Sequence, residues 1–567
     1  MDTAIAPVSE FDTPSHPDTV WTSANVQEVL PGALSPLAWS LMSGVLDQAW
    51  RRMVGRAGIK IANPDPFMGL FYGRPFLNAS LLREAADKGS GNDGLDEQYF
   101  GVARSEPAST RRSLADRLRG VVVAVRVLWV WYRLPAEVRA FQRMVEANES
   151  EEEKRPLAQL SVEELTAAVS DGRATTGPYA SVHLIASATA GLSFERLWQR
   201  TKDWLGDSDG SLHATLCSSA SVESSRPAFG LWDLSRLALA SPALSEAFAS
   251  GDGAEIESKL SALDNGSTAA FRARLAEFLG RHGHRAVREG DLSSPTWADD
   301  TPSVLTMVRN YLDAGPAGDP YLLAERQRGE RELAAQDAMR RVGWRRRWAF
   351  RWALRDARNS LARRERTKSL LIRANDHFRR LVRELSRRLA ADGRLAQPDD
   401  VYYLTWDETA ALAGGTFDRA EAAIAVRRRR EEEERNRCVV LPDVFAGRPR
   451  PLSAAPLSTR GQVLRGLPVS PGRATGPARV VHDPRDNVEV KRGEILVAPV
   501  TDAAWTPLFV VVAGLVVDIG GTLSHGSIVA REYGLPAVVG VKTATQCIRT
   551  GQIITVDGSQ GTVVIEE

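Results

Sequence analysis

Residues 514–540, GLVVDIGGTLSHGSIVAREYGLPAVVG, hold the pattern from which the rest of the chain is read. An apolar run ends on Gly520-Gly521. Thr522, Leu523, Ser524, His525 and Gly526 follow, and a helix-compatible segment, SIVAREYG, closes at Gly534 with Pro536 behind it. Paired glycines let the backbone turn tightly and approach a ligand. Thr522, Ser524 and the free N–H groups of a helix start make a seat for phosphate. His525 stands at the mouth of that seat. An imidazole of ordinary pKa, about 6.5, is largely neutral at neutral pH, so one ring nitrogen can attack phosphorus and later release it. Gly521, Thr522, Ser524 and Gly526 are the candidate phosphate-binding residues, and Arg531 can turn its guanidinium onto the same anion. Taken alone, however, a Gly-Gly-x-x-Ser-His turn is better read as a histidine that merely caps a helix.

Around this stretch, residues 461–567 are rich in Gly, Val and Ile. Their short apolar runs are ARVVHD, GEILVAPV, FVVVAGLVVDIG, LPAVVGV, QIITVDG and GTVVIEE, each bounded by Gly, Pro or Asp, and they read as strands. A compact β-rich α/β domain is expected over 464–567, joined to what precedes it by a Pro-rich hinge, 447–463. Upstream, 21–446 shows apolar residues every three to four positions, as in LSPLAWSLMSGVLDQAW (34–50) and TKSLLIRANDHFRRLVRELSRRLA (367–390), which predicts a large helical domain. Within it, Trp344, Trp348 and Trp352 recur every fourth residue among arginines. That spacing predicts an apolar stripe packed in the core rather than a nucleic-acid groove. The segment VVVAVRVLWVW (121–131) is too short to span a bilayer and reads as a buried helix. The run RRRREEEER (427–435) suits a solvated helix face.

The whole chain has 567 residues, a net charge of +1, 43% hydrophobic and 25% charged residues, the balance of an ordinary globular protein. No basic excess draws it to phosphate backbones. Cys217, Cys438 and Cys547 lie far apart, against both a disulfide framework and a structural zinc, and no metal site is expected. Residues 1–20 are polar, without a basic n-region and apolar h-region, and read as a disordered leader of a cytoplasmic protein.

Over its whole length, 514–540 resembles the swivelling phosphohistidine domain of the phosphoenolpyruvate-utilising enzymes. In that family the histidine of GG-x-x-(Ser/Thr/Cys)-H-(Ala/Gly), followed by ARE-x-G-(I/L/V)-PAVVG, accepts a phosphoryl group. VTDAAWTPLF (500–509) and TGQIITVDGSQGTVVI (550–565) are most similar to the rifampin phosphotransferase branch. Upstream, ANVQEVLPGALSPLAWSLM (24–42), GHRAVREGDLSSPTWADDTP (283–302) and PDDVYYLTWDE (398–408) resemble that branch's helical acceptor domain. The resemblance covers about 21–567. It implies a fold of a large helical substrate domain followed by a small swivelling phosphohistidine domain. Relatives of this type begin with an ATP-grasp domain, and the sequence shows no P-loop. The expectation is therefore that ATP, with Mg2+, is bound by a separate partner protein.

The resemblance makes His525 the phosphoryl carrier. It also points to Arg364-Glu365-Arg366-Thr367-Lys368, which is similar to the family's RE-x-P-K…R segment, with Thr367 in place of proline. Arg364 and Lys368 are i,i+4 neighbours on one helix face and are the candidate catalytic cations; Arg373 lies about a turn further on. A solvated cationic face explains these residues equally well, although lysine is rare in this chain. His282, His284, Arg285, Glu289 and Asp291 form a polar cluster able to orient a hydroxyl, with Asn25 and Glu28 at the same level as substrate-binding candidates. The expected function is phosphoryl transfer from His525 to a hydroxyl of a small, hydrophobic biosynthetic or antibiotic molecule, with no nucleic-acid or membrane partner. Two alternatives stand beside it: a dehydratase or condensing enzyme using His525 as acid/base, and a non-catalytic ligand-binding protein.

Overall fold

A computed structural model describes residues 9–23, 26–27, 29–88, 114–208, 210–218, 226–264, 266–437, 439–452, 462–484, 490–522 and 524–566, the side chains of 114–119, 317 and 503 excepted. The chain forms two compact units that are discontinuous in sequence. The first comprises 1–188, 290–293 and 370–455; the second comprises 189–289, 294–369 and 456–567. The contiguous helical domain expected over 21–446 is thus divided. Most of the hinge expected at 447–463 lies outside the described residues.

In the first unit, the helix Pro36–Arg56 starts where Ser35 Oγ accepts the N–H of Ala38 at 3.2 Å, with Pro36 at the position where a missing N–H costs nothing. A small sheet that the helical periodicity gave no sign of has the order β2-β3-β1-β4, from β1 (Val20–Thr22), β2 (Met68–Phe71), β3 (Arg74–Asn78) and β4 (Val444–Ala446). Residues 9–20, expected to be disordered, are tied down. Thr13 N–H donates to Leu70 O at 2.8 Å, Asp12 Oδ1 accepts from Tyr72 N–H at 2.8 Å, and Glu10 pairs with Arg428 and Arg429. The helix Leu114–Lys154 departs from expectation as well. Val121, Leu128 and Trp129 are 61%, 65% and 52% exposed, while the buried row starts at Val130 and runs on through Leu134, Val138, Phe141 and Val145, its first three residues packed against Val182, Ile185 and Ala186.

In the second unit, the helices Arg226–Leu239, Gly253–Ala262, Gly266–His282 and Thr301–Ala314 enclose an apolar core centred on Leu231, Phe271, Phe278, Val308 and Tyr311. Ala504 and Val510, from the C-terminal segment, close it. That segment builds an eight-stranded sheet of order β5-β12-β11-β7-β8-β9-β10-β6. Its strands are β5 (Val463–Arg465), β6 (Leu467–Ser470), β7 (Arg473–Val480), β8 (Ile495–Ala498), β9 (Gly514–Val517), β10 (Ala537–Val539), β11 (Ile553–Asp557) and β12 (Thr562–Ile565). Strands β7, β8, β9 and β10 run parallel and are buried on both faces in their central pair, which explains the unbroken apolar runs in the sequence.

The tryptophan stripe is a second correction. Trp344 and Trp348 are 76% and 78% exposed, and Trp352 is 39% exposed. On the helix Arg347–Ala391 the buried row is Phe350, Ala353, Leu354 and Ala357. Two residues past Trp348, a helix has turned by about 200°, so Phe350 faces inward where the indole faces out. The exposed indoles stack instead with guanidinium groups, Arg345 on Trp344 at 5.3 Å and Arg196 on Trp352 at 5.1 Å.

Candidate functional site

β9 delivers the chain to Gly520-Gly521, and His525 opens the helix His525–Tyr533. Ser524 caps it, accepting from Ser527 N–H at 3.3 Å, while Ser527 Oγ donates to Gly521 O at 2.7 Å. This side-chain network fixes the turn in which Gly521, Thr522, Ser524 and Gly526 stand. Gly526 leaves no room for a side chain, because a Cβ there would run into Thr501 Oγ1. Gly534 ends the helix in the left-handed conformation, φ 63°, a natural stop for a residue without Cβ.

His525 is 2% exposed. Its Nε2 lies 3.0 Å from Thr506 Oγ1, on the short helix Thr506–Phe509. Burial first, and then the charges of Lys368, Arg285 and Arg364, hold its imidazole well below the ordinary histidine range. The ring is therefore neutral at neutral pH, so one ring nitrogen carries the proton and the other a lone pair, and Thr506 Oγ1 can meet Nε2 in either role, donating to the lone pair or accepting from the N–H. Three cations act together on this one ring, and each brings a carboxylate or has one close by. Arg364 pairs with Glu365 at 2.6 Å and Arg285 with Glu289 at 3.0 Å, while Lys368 faces Asp502. Thr367, in the place of a family proline, donates its hydroxyl to Arg364 O at 2.9 Å, and the helix runs on without a break.

The remaining sequence candidates divide between the two units. Arg531 lies fully inside the second, with its guanidinium donating to Thr522 O at 2.7 Å and Val469 O at 3.1 Å, so it braces the turn through backbone carbonyls. Burial pulls its pKa down to about 10, which leaves it charged at neutral pH. His282 meets the Phe278 ring at a tilt, 5.1 Å between centroids, and burial, with Arg285 and Arg281 beside it, lowers its pKa to about 4. His284 follows in the turn just past the end of the helix Gly266–His282, half-buried. Arg373 and Asp291 belong to the first unit, Arg373 paired with Glu149 and Asp291 bonded to Ser293. Asn25 and Glu28 lie outside the described residues. Sequence reasoning passed over Thr501, Asp502 and Thr506. The signal was within VTDAAWTPLF, whose polar residues interrupt an otherwise apolar run. Among the described residues, no group of three or more His, Cys, Asp or Glu could hold a metal ion, and no helix is long and apolar enough to cross a membrane.

Two stretches match known domain families. Residues 180–365 match the rifampicin phosphotransferase fourth domain, and residues 490–561 match the PEP-utilising enzyme mobile domain. The chain is 34% identical over 316 residues to the prodigiosin synthesizing transferase PigC of Serratia marcescens, covering 53% of this chain and 34% of that protein. It is 32% identical over 376 residues to a rifampicin phosphotransferase of Streptomyces sviceus, covering 65% of this chain and 42% of the relative. With the chondramide synthase CmdD of Chondromyces crocatus it shares 32% identity over 359 residues, covering 59% of this chain and 9% of that protein. The chain thus spans less than half the length of each of these relatives.

Proposed function

The chain carries the mobile domain of phosphoenolpyruvate-utilising enzymes and the fourth domain of rifampicin phosphotransferase, and from that kinship we propose that it is a phosphotransferase component working through a phosphohistidine at His525. The observation that carries this reading is the convergence of Arg285, Arg364 and Lys368 on a buried, neutral His525 at a helix start. A neutral imidazole attacks phosphorus, and clustered cations stabilise the charge that spreads over the transferring group. Arg364, Lys368 and Arg285 neutralise the phosphoryl group; Gly521, Thr522, Ser524 and Gly526 shape the turn that presents it. His282, His284 and Glu289 line the approach of the acceptor, a small hydrophobic molecule with a free hydroxyl. The phosphoryl group comes from ATP and Mg2+ on a nucleotide-binding protein that acts in trans.

A second reading concerns the fate of the phosphate ester once it is formed. Two relatives bear names of synthesis, a prodigiosin synthesizing transferase and a chondramide synthase. That supports a variant in which the ester on the acceptor becomes a leaving group, so that the net reaction is a condensation or dehydration. Incubation with an ATP-grasp protein, labelled ATP and a panel of aromatic and polyketide alcohols tests both. Acid-labile, base-stable label on His525 that passes to an alcohol supports the first reading; inorganic phosphate released together with a condensed product supports the second. Turnover undiminished in His525→Ala would refute both.

A further inference from the structure

A hydroxyl that attacks the phosphoryl group on His525 has to give up its proton, and the carboxylates that share cations with His525 differ in what holds them. Glu289 and Glu365 are each held by a guanidinium, Arg285 and Arg364. Asp502 is held by neutral donors. Its Oδ1 accepts from Ala504 N–H at 3.0 Å, and its Oδ2 from Arg288 N–H at 2.7 Å. Arg288 takes a left-handed φ of 58° to present that N–H, a conformation uncommon for a residue with a Cβ. Asp502 keeps partial exposure, so a proton it takes has a way out. It also stands four residues before Thr506, whose hydroxyl meets His525 Nε2, with the single turn Ala503–Trp505 between them. The charged groups facing it are Glu289 and Lys368, beside the Arg285 that pairs with Glu289.

We infer that Asp502 is the catalytic base of the transfer step, taking the proton from the acceptor hydroxyl as its oxygen attacks phosphorus. The inference rests on the phosphohistidine reading above. In the step, an O–P bond forms while the P–N bond to His525 breaks. The electron pair of that bond returns to the imidazole, and the hydroxyl proton moves to a carboxylate oxygen of Asp502 and from there to solvent. Burial, and then the charge of Glu289, raises the Asp502 carboxyl to about 7, against the opposing N–H groups of Arg288 and Ala504 and the charge of Lys368. A base of that strength is matched to proton abstraction near neutral pH. The active, ionised form accumulates as pH rises through that value.

Potassium phosphoramidate phosphorylates histidine chemically, so the test needs neither nucleotide nor partner. Wild type, Asp502→Asn and Asp502→Glu are charged with it, and loss of bound phosphate to water and to rifampicin is followed between about pH 5 and 9. All three proteins are expected to charge equally. Wild-type discharge should rise with pH and level off. Asp502→Asn should discharge about 100-fold more slowly, without that rise, since a positioned base contributes about 100-fold or more; Asp502→Glu should recover part of the rise. An Asp502→Asn protein that is slower but keeps the same pH rise shows a structural role and overturns the inference, as does discharge at the wild-type rate. If none of the three charges on His525, the phosphohistidine reading itself falls, and the inference with it.

Discussion

Gly534→Ala probes how the helix bearing His525 is held. Gly534 sits at φ 63°, and a Cβ there would lie 2.5 Å from Gln327 Nε2 and 3.5 Å from its Cδ, on the helix Pro320–Arg341. Two costs add. Alanine in the left-handed region costs about 1–2 kcal/mol. The amide of Gln327 is the end of a flexible side chain and can move, but it then gives up its bond to Glu330 Oε2 at 3.3 Å, about 0.5–1.5 kcal/mol. The sum, about 1.5–3.5 kcal/mol, corresponds to about 10- to 300-fold faster hydrogen exchange in the amides of the helix His525–Tyr533. In a Gln327→Ala background, which has neither the collision nor that bond, Gly534→Ala should cost only the first share, so the cycle gives a coupling of about 0.5–1.5 kcal/mol. Gly534→Asn should relieve the conformational share, since asparagine tolerates this region. Exchange unchanged by Gly534→Ala, or no coupling to Gln327, would mean that neither the left-handed turn nor Gln327 holds this helix end.

Three more outcomes rest on burial and charge. Trp344→Ser and Trp348→Ser should each shift stability by less than about 0.5 kcal/mol, as exposed sites do, whereas Phe350→Ala should cost about 3–5 kcal/mol; denaturant midpoints that reverse this order would restore the core stripe. Burial drives the Cys217 thiol up to about 12, so native protein at about pH 8 should resist alkylation there, and labelling of Cys217 as fast as in urea would contradict its placement. His213 and His282 are lowered to about 3 and about 4, in both cases chiefly by burial. The unfolded chain, with histidines near about 6.5, then binds more protons than the folded one below that pH. Stability should fall as pH drops from about 6.5 towards 4, and His282→Gln should flatten part of that fall in urea midpoints taken across the range.

The sheet-bearing C-terminal segment was legible because parallel strands buried on both faces write themselves as unbroken runs such as ILVA and GLVV, and because Gly520, His525 and Gly534 punctuate one turn and one helix. FVVVAG (509–514) misled, since its first residues end a short helix and only Gly514–Val517 form a strand. Periodicity alone does not say which face of an arginine-rich helix is turned inward. Trp344 and Trp348 keep the same spacing as a core row, yet Trp344 stands in the turn before the helix and Trp348 lies on the face opposite Phe350. Nor does hydrophobicity fix burial: in the helix Leu114–Lys154 only one row of an apolar stretch meets neighbours. At the site, motif and spacing point to His525, Arg364 and Lys368 as candidates, and Arg285, expected among the substrate-binding residues, joins Arg364 and Lys368 in acting on the His525 ring. Asp502 and Thr506 were missed, since their part depends on contacts with Arg288 and His525 that lie far away in the sequence.

Peptide mapping of phosphoramidate-treated protein tests the central claim most directly. Digestion under alkaline conditions keeps phosphohistidine intact, and mass spectrometry then assigns the modified residue. A phosphoryl group on His525, lost in acid and missing in His525→Ala, is the expected result. Phosphate spread over His282, His284 and the other histidines with His525 left bare, or charging unaltered in His525→Ala, would contradict it.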